Sequence, residues 1–309
     1  MFFAASMMKY LLLISTIVVA FSCEKKMSND RRLTGEKRKI KMIMESVHDP
    51  IIKAGKFEVN PRLSKDSLLY ESYFNKSGIL VKRSAFNLKA NLQSSELFKY
   101  DKDNNNIERI AYNSNGSVAS KRINKFDAEN KLIEGYEFDG RGKIIHKTTR
   151  NDSAGYKIFT SYKWISRGLV KTLESVFDKN GNNVANYYFS ERTLESQEIR
   201  RYDINKNVLE IIQHYPITNE QIVTRFKYDK QNNKIEAIVL RNNLVTSKTM
   251  FNYDTRNNLT ETLNYEVQGT LKGHHKYFYE FDAEGNWTKR INTFNDRPTV
   301  VSIRQIEYY

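Results

Sequence analysis

Hydrophobic and polar positions alternate along most of this chain, and the alternation is interrupted at a regular beat. In residues 39–48, Ile40, Met42, Met44 and Ser46 alternate with Lys41, Ile43, Glu45 and Val47. A period of two over that length reads as a first strand. Further on, an aromatic followed by Asp or Asn ends one alternating run after another. The pairs are Phe74-Asn75, Tyr100-Asp101, Phe126-Asp127, Phe177-Asp178, Tyr202-Asp203, Tyr228-Asp229, Tyr253-Asp254 and Phe281-Asp282. Asn151-Asp152 is a degenerate copy in the one gap, and successive steps run from 25 to 28 residues.

Each pair opens a turn. Asn75 is followed by Gly78, Asp178 by Gly181 and Asp282 by Gly285; Asp101, Asp229 and Asp254 are followed by Asn104, Asn232 and Asn257. Asp or Asn starts such a turn by accepting a backbone N–H further on, and Gly or Asn accepts positive φ. A weaker set of turn signals lies about halfway between: Phe86-Asn87, Tyr112-Asn113, Phe138-Asp139, Trp164 to Gly168, Tyr215-Pro216, Tyr265-Glu266 and Phe294-Asn295. Each repeat of about 26 residues therefore holds two strands, with strong turns on one edge of the sheet and weak turns on the other.

The aromatic-Asp turns resemble those of the YD-repeat family, also called Rhs repeats. The resemblance covers about 74–309, and 39–73 more loosely. It implies an antiparallel strip that coils. The family's toxin encapsulation is not implied, because the strip is short and no self-cleaving or toxin-like region follows Trp287. The expected fold class is all-β: a long antiparallel β-meander of about 18 strands, forming a curved or spiral open sheet. The curvature is expected because twisted open sheets rarely exceed about 10 strands without curling. A lipid-facing barrel needs an apolar residue at alternate positions. Residues 195–202 offer Glu195, Gln197, Ile199 and Arg201 on one side and Ser196, Glu198, Arg200 and Tyr202 on the other, so neither side suits lipid.

The N-terminus fixes the expected compartment. Lys9 precedes an apolar run from Tyr10 to Phe21, then Ser22 and Cys23, then Glu24-Lys25-Lys26. That is the layout of a secretory signal peptide. Cys23 is the chain's one cysteine, so no internal disulfide can form. Its position resembles the lipobox of bacterial lipoproteins, which implies lipidation at Cys23. Met7 and Met8 are alternative starts. The domain reading is a lipoprotein signal peptide over 1–22, a flexible tether over 23–38 and a YD-repeat-like sheet over 39–309. The polar residues of the tether cannot offset the entropy of ordering.

Composition then narrows the partners. The formal net charge is +14, with 12% aromatic residues. A basic surface attracts polyanions, and export disfavours nucleic acid, so a glycan or an envelope protein is the expected partner. The five histidines show no zinc spacing, and His274-His275 reads as a loop in an expanded repeat. Asp101-Lys102-Asp103-Asn104 begins like a calcium loop, but Tyr112 stands where the bidentate Glu belongs. No nucleophile elbow, P-loop or dinucleotide motif occurs. The expectation is no enzyme, no cofactor and no metal, with Trp164 and Trp287 as possible ligand contacts. A structural envelope scaffold is the alternative, and a hydrolase with carboxylates meeting only in the fold is another.

Overall fold

The computed structural model describes residues 38–53, 56–63, 68–166 and 168–309. The expected signal peptide over 1–22, with Cys23 and nearly all of the 23–38 tether, lies outside the described residues. Twenty-one strands follow in chain order. They are β1 (Ile40–Lys53), β2 (Lys56–Leu63), β3 (Leu69–Phe74), β4 (Leu80–Phe86), β5 (Leu92–Tyr100), β6 (Asn106–Asn113) and β7 (Val118–Phe126). Next come β8 (Leu132–Asp139), β9 (Ile144–Ser153), β10 (Tyr156–Ile165), β11 (Gly168–Phe177), β12 (Asn183–Ser190), β13 (Thr193–Tyr202) and β14 (Val208–Tyr215). The last are β15 (Glu220–Tyr228), β16 (Lys234–Arg241), β17 (Leu244–Tyr253), β18 (Leu259–Glu266), β19 (Leu271–Phe281), β20 (Trp287–Phe294) and β21 (Arg297–Tyr308).

From β3 to β21 every strand pairs antiparallel with the next, as the turn rhythm predicts. The expected open sheet, however, is corrected by the seam. β1 pairs with β21 on one side, Ile43 opposite Ile306 and Ser46 opposite Ile303, and with β3 on the other, Ile43 opposite Ser72. The result is a closed antiparallel barrel of 20 strands with one extra strand, β2, which pairs with the far end of β1. A ring in which every pair is antiparallel needs an even number of strands, and β1 supplies the last one. Closure also removes the exposed edges that an open sheet would leave.

The turns follow from local chemistry. At Asp229 the N–H donates to the Asn233 carbonyl at 2.9 Å, and Asn232 at φ 64° donates back to the Asp229 carbonyl at 3.1 Å. The Asp229 carboxylate accepts from the N–H of Gln231 and Asn233 and from the Asn233 amide. Four of the tyrosines directly before turns, and Tyr279 two residues before Phe281, tie one hairpin to an earlier one. Tyr100, Tyr202, Tyr228, Tyr253 and Tyr279 donate their hydroxyls to the carbonyls of Leu80, Asn183, Val208, Lys234 and Leu259, one repeat back. Asn105, Asn207 and Asn233 extend side-chain amides to Asn130, Asn232 and Asn257 in the following turns. Three strong turns are thus tied to the next one along the rim.

Three local expectations are corrected. Asn151 and Asp152 lie within β9, and the turn there is Ala154-Gly155, both at positive φ. Two tight turns escaped the weak set, Glu191-Arg192 and Asn242-Asn243, each with both residues at positive φ. His274 and His275 sit within β19, not in a loop.

The Asp turns give a pH signature. Hydrogen bonds from the Asn105 side chain, then its backbone, hold Asp101 below the ordinary value of 3.8. At Asp229 burial pulls upward, and the bonds from Asn233 and Gln231 outweigh it. A lowered folded pKa means stability that is complete above the unfolded value and lost as pH falls through the folded one. The melting temperature should therefore hold between pH 7 and about 5 and drop below about pH 4. Asn75 already serves a turn of the same form through Oδ1, so Asp101→Asn with Asp229→Asn should flatten the acid drop. An unchanged acid limb in that variant would refute the assignment.

Candidate functional site

Pairing register divides the wall into two faces, because directly opposite residues point the same way. Exposed mid-strand residues gather on one face: Leu97, Lys99, Lys125, Ile199, Arg201, Arg225, Lys227 and Phe278. Buried residues lie on both faces: Phe98, Asn186, Glu198 and Thr262 on the other, and Ser84, Val223, Glu236 and Val301 on the one with the exposed side chains. Side chains converge inside a ring and spread outside it, so the face on which exposed mid-strand side chains gather is the outer one. A ring of about 16 to 18 strands already leaves an aqueous channel, and this one is wider. Its largest fully buried side chains are only Val301, Asn186, Ser84 and Ser302.

The outer face is braced by carboxylates clamped between two cations. Glu108 meets Lys99 at 2.5 Å and Lys121 at 2.7 Å. Glu210 meets Arg201 and Arg225, both at 3.0 Å, and Glu236 meets Lys227 at 2.7 Å and Lys248 at 2.8 Å. Glu134 is held likewise by Lys125 and Lys147. The flanking lysines hold Glu108 and Glu236 below the usual carboxylate range. Opposite charges facing each other across strands are the sheet's ordinary stabilising pairs. Sequence inspection missed this series although it leaves a signal: Glu stands seven residues after Asp101, Asp127, Asp203, Asp229 and Asp254.

The inner face has two chemistries. From β14 to β18 its mid-wall residues are Ile211 and Gln213, Ile222, Thr224 and Phe226, Ala237 and Val239, Thr249 and Phe251, Thr262 and Asn264, and the one charge among them is Lys234, whose Nζ lies 5.4 Å from the Phe226 ring centre and 4.7 Å from that of Phe251. Across the seam and on to β9 the same face carries guanidinium groups. Arg304 Nε lies 2.9 Å from Glu45 Oε2, and Arg109 Nη2 lies 3.0 Å from Glu96 Oε1. Arg109 and Arg122 stand directly opposite each other on β6 and β7, and Arg122 faces Glu137 on β8. Arg122 Nε donates to Asn124 Oδ1 at 3.1 Å, across from Gly135. A Cβ at Gly135 would lie 2.9 Å from that oxygen and 3.4 Å from Arg122 Nη2, so glycine gives the arginine room. Glu137 is held low by its bond to His146 first, then by Arg122 and Arg109.

One buried carboxylate needs weighing as a reactive group. Glu198 accepts from Arg200 at 2.6 Å, from the Asn186 amide at 3.2 Å and from the Gln213 amide at 3.3 Å. Three donors fix this carboxyl group in one position. Burial, and then Glu198, push the neighbouring Tyr188 up to about 12. Among the described residues no group of three or more His, Cys, Asp or Glu could hold a metal ion.

The residues singled out from sequence scatter. Trp164 is 40% exposed near the end of β10, with Lys143 Nζ 5.7 Å from its ring centre. Trp287 is 8% exposed; the Arg304 guanidinium lies 3.5 Å over its ring and that of Arg290 at 5.2 Å. The two tryptophans therefore form no common site. His274 Nε2 bonds Glu261 Oε1 at 2.5 Å. The Asp101 loop is a hairpin turn whose carboxylate is occupied by Asp103 and Asn105.

Fold and wall together define an all-β barrel of two-strand repeats, charged outside and chemically divided inside. No protein-family model matches the chain, and no curated protein does. Among solved structures, the TcdB2-TccC3-Cdc42 crystal structure aligns at 9% identity and a TM-score of 0.33. That match covers 85% of this chain and 17% of the other. A porin-like protein from Bacteroides uniformis aligns at 9% identity and a TM-score of 0.32, covering 88% of this chain and 98% of the other. A protein of unknown function from Bacteroides fragilis aligns at 10% identity and a TM-score of 0.18, covering 49% and 86%. This chain therefore spans about a sixth of the TcdB2-TccC3-Cdc42 chain it matches. Scores of this size carry no argument about activity.

Proposed function

We propose that this protein is a non-catalytic lipoprotein of the bacterial cell envelope, anchored through Cys23, whose barrel binds a carbohydrate. The observation that carries the reading is the inner wall from β14 to β18, polar and aromatic with Lys234 as its charge. There the Gln213 amide already donates to Glu198 and Thr249 to Asn264 Oδ1, so the Gln213 carbonyl, the Asn264 amide N–H groups and the Thr224 hydroxyl are the polar partners, beside Phe226 and Phe251 with Lys234 over their rings. Hydroxyl-rich ligands need both donors and acceptors beside apolar surface. The YD-like turns fit the reading. So do the ion pairs on both faces of the wall, which hydrocarbon would not accommodate.

A structural scaffold is the second reading, supported by the clamped glutamates and the tyrosine and asparagine links that tie one repeat to another. A glycan array with the full-length chain in mild detergent separates the two. Retention of one sugar class supports binding; no retention by a folded chain leaves the scaffold. Metabolic lipid labelling should mark the wild type and not Cys23→Ser. Equal labelling of both would overturn the anchor.

A further inference from the structure

We infer that the carbohydrate is acidic, a polysaccharide bearing carboxylates that dock on the arginine arc of the inner wall. This rests on the carbohydrate reading above. The first observation is a sorting of cations. Mid-strand lysines such as Lys82, Lys99, Lys121, Lys227 and Lys248 lie on the outer face, whereas Arg83, Arg109, Arg122, Arg290 and Arg304 lie on the inner one; Arg201 and Arg225, both committed to Glu210, and the inner-facing Lys163 and Lys234 are exceptions. Charge alone does not explain the choice, since either residue supplies it. A guanidinium adds a planar fork that matches a carboxylate with two parallel bonds, and it is weakly hydrated.

The second observation is where pairing stops. Outer lysines on β5, β7, β15 and β17 are matched to glutamates. On the inner face no described carboxylate lies within ion-pair distance of Arg83 or Arg290. Arg290 Nε is buried and meets no hydrogen-bond partner among the described residues, and neither does Asn292 Oδ1, the next inner-facing group on the same strand. Buried polar groups are ordinarily satisfied. Arg290 as a whole is only half-buried, so its terminal guanidinium nitrogens can meet a sugar carboxylate. The arc adjoins the seam, and the β14 to β18 wall continues the same inner surface, so one chain of sugars could meet both.

The test uses the full-length chain in detergent and three probes: polygalacturonate, neutral dextran of similar length, and a single-stranded DNA oligonucleotide. Polygalacturonate should bind and dextran should not. Arg83→Gln combined with Arg290→Gln should weaken polygalacturonate by about tenfold or more. Lys82→Gln combined with Lys99→Gln, with the same charge loss on the outer face, should change it less than about twofold. Melting curves of both variants report folding. Dextran bound as tightly as polygalacturonate would overturn the acidic ligand and leave the carbohydrate reading intact. So would an arginine variant that folds and binds as before. A lysine variant that loses as much as the arginine variant would move the binding to the outer face and overturn the inference. DNA bound more tightly than polygalacturonate at equal salt would overturn it too. No glycan binding by a folded wild type would overturn both readings.

Discussion

A chain from which residues 39–63 have been deleted should self-associate more strongly than the intact chain. Removing β1 leaves β21 and β3 facing each other across the gap. Both run antiparallel to β1, so they are parallel to one another. They cannot close the ring with the antiparallel bonds used everywhere else. Two strands, Leu69–Phe74 and Arg297–Tyr308, then present unpaired N–H and C=O groups. Open edges of that kind recruit other chains. Light scattering after size exclusion should show oligomers, and amide exchange should accelerate in β3 and β21. A monodisperse monomer with slow exchange at both strands would show that the ring does not depend on β1.

Trp287→Ala should be the most damaging single substitution at the same seam. The indole is 8% exposed and supports the Arg304 guanidinium at 3.5 Å, and Arg304 in turn reaches Glu45 on β1. Truncation removes a large buried ring and leaves two guanidinium groups without their platform. Losses of buried aromatics typically cost about 3 to 5 kcal/mol, and cation–π contacts add to that. The melting midpoint should fall by several degrees. Trp164→Ala, at an exposed position, should shift it little. Equal midpoints for Trp287→Ala and wild type would mean that the indole supports nothing.

The turns were legible because each is written locally. An Asp or Asn that accepts from residues two and four further on, with Gly or Asn at positive φ, is a signal held within five positions. Where those residues change, legibility fails. Asn151-Asp152 kept the letters but lacks a following residue suited to positive φ until Ala154-Gly155, so the turn moved. Asn242-Asn243 was readable as a two-residue turn and was passed over because no aromatic precedes it. Closure left no local trace, since Ile43 and Ile306 become neighbours through the sum of all the intervening hairpins. Only strand parity could have hinted at it. The inner wall was illegible for a related reason. Which alternate residues face inward depends on the sense in which the strip curls, and sequence alternation is the same for either.

The seam also sets what the backbone will tolerate. The Tyr309 N–H donates to the Lys39 carbonyl at 2.9 Å, so the two ends of the wall touch. A short linker could join them and a new opening could be cut at another hairpin, such as the one between Tyr215 and Glu220. Such a circular permutant would retain every pairing of the hoop, because a closed band has no first or last stave.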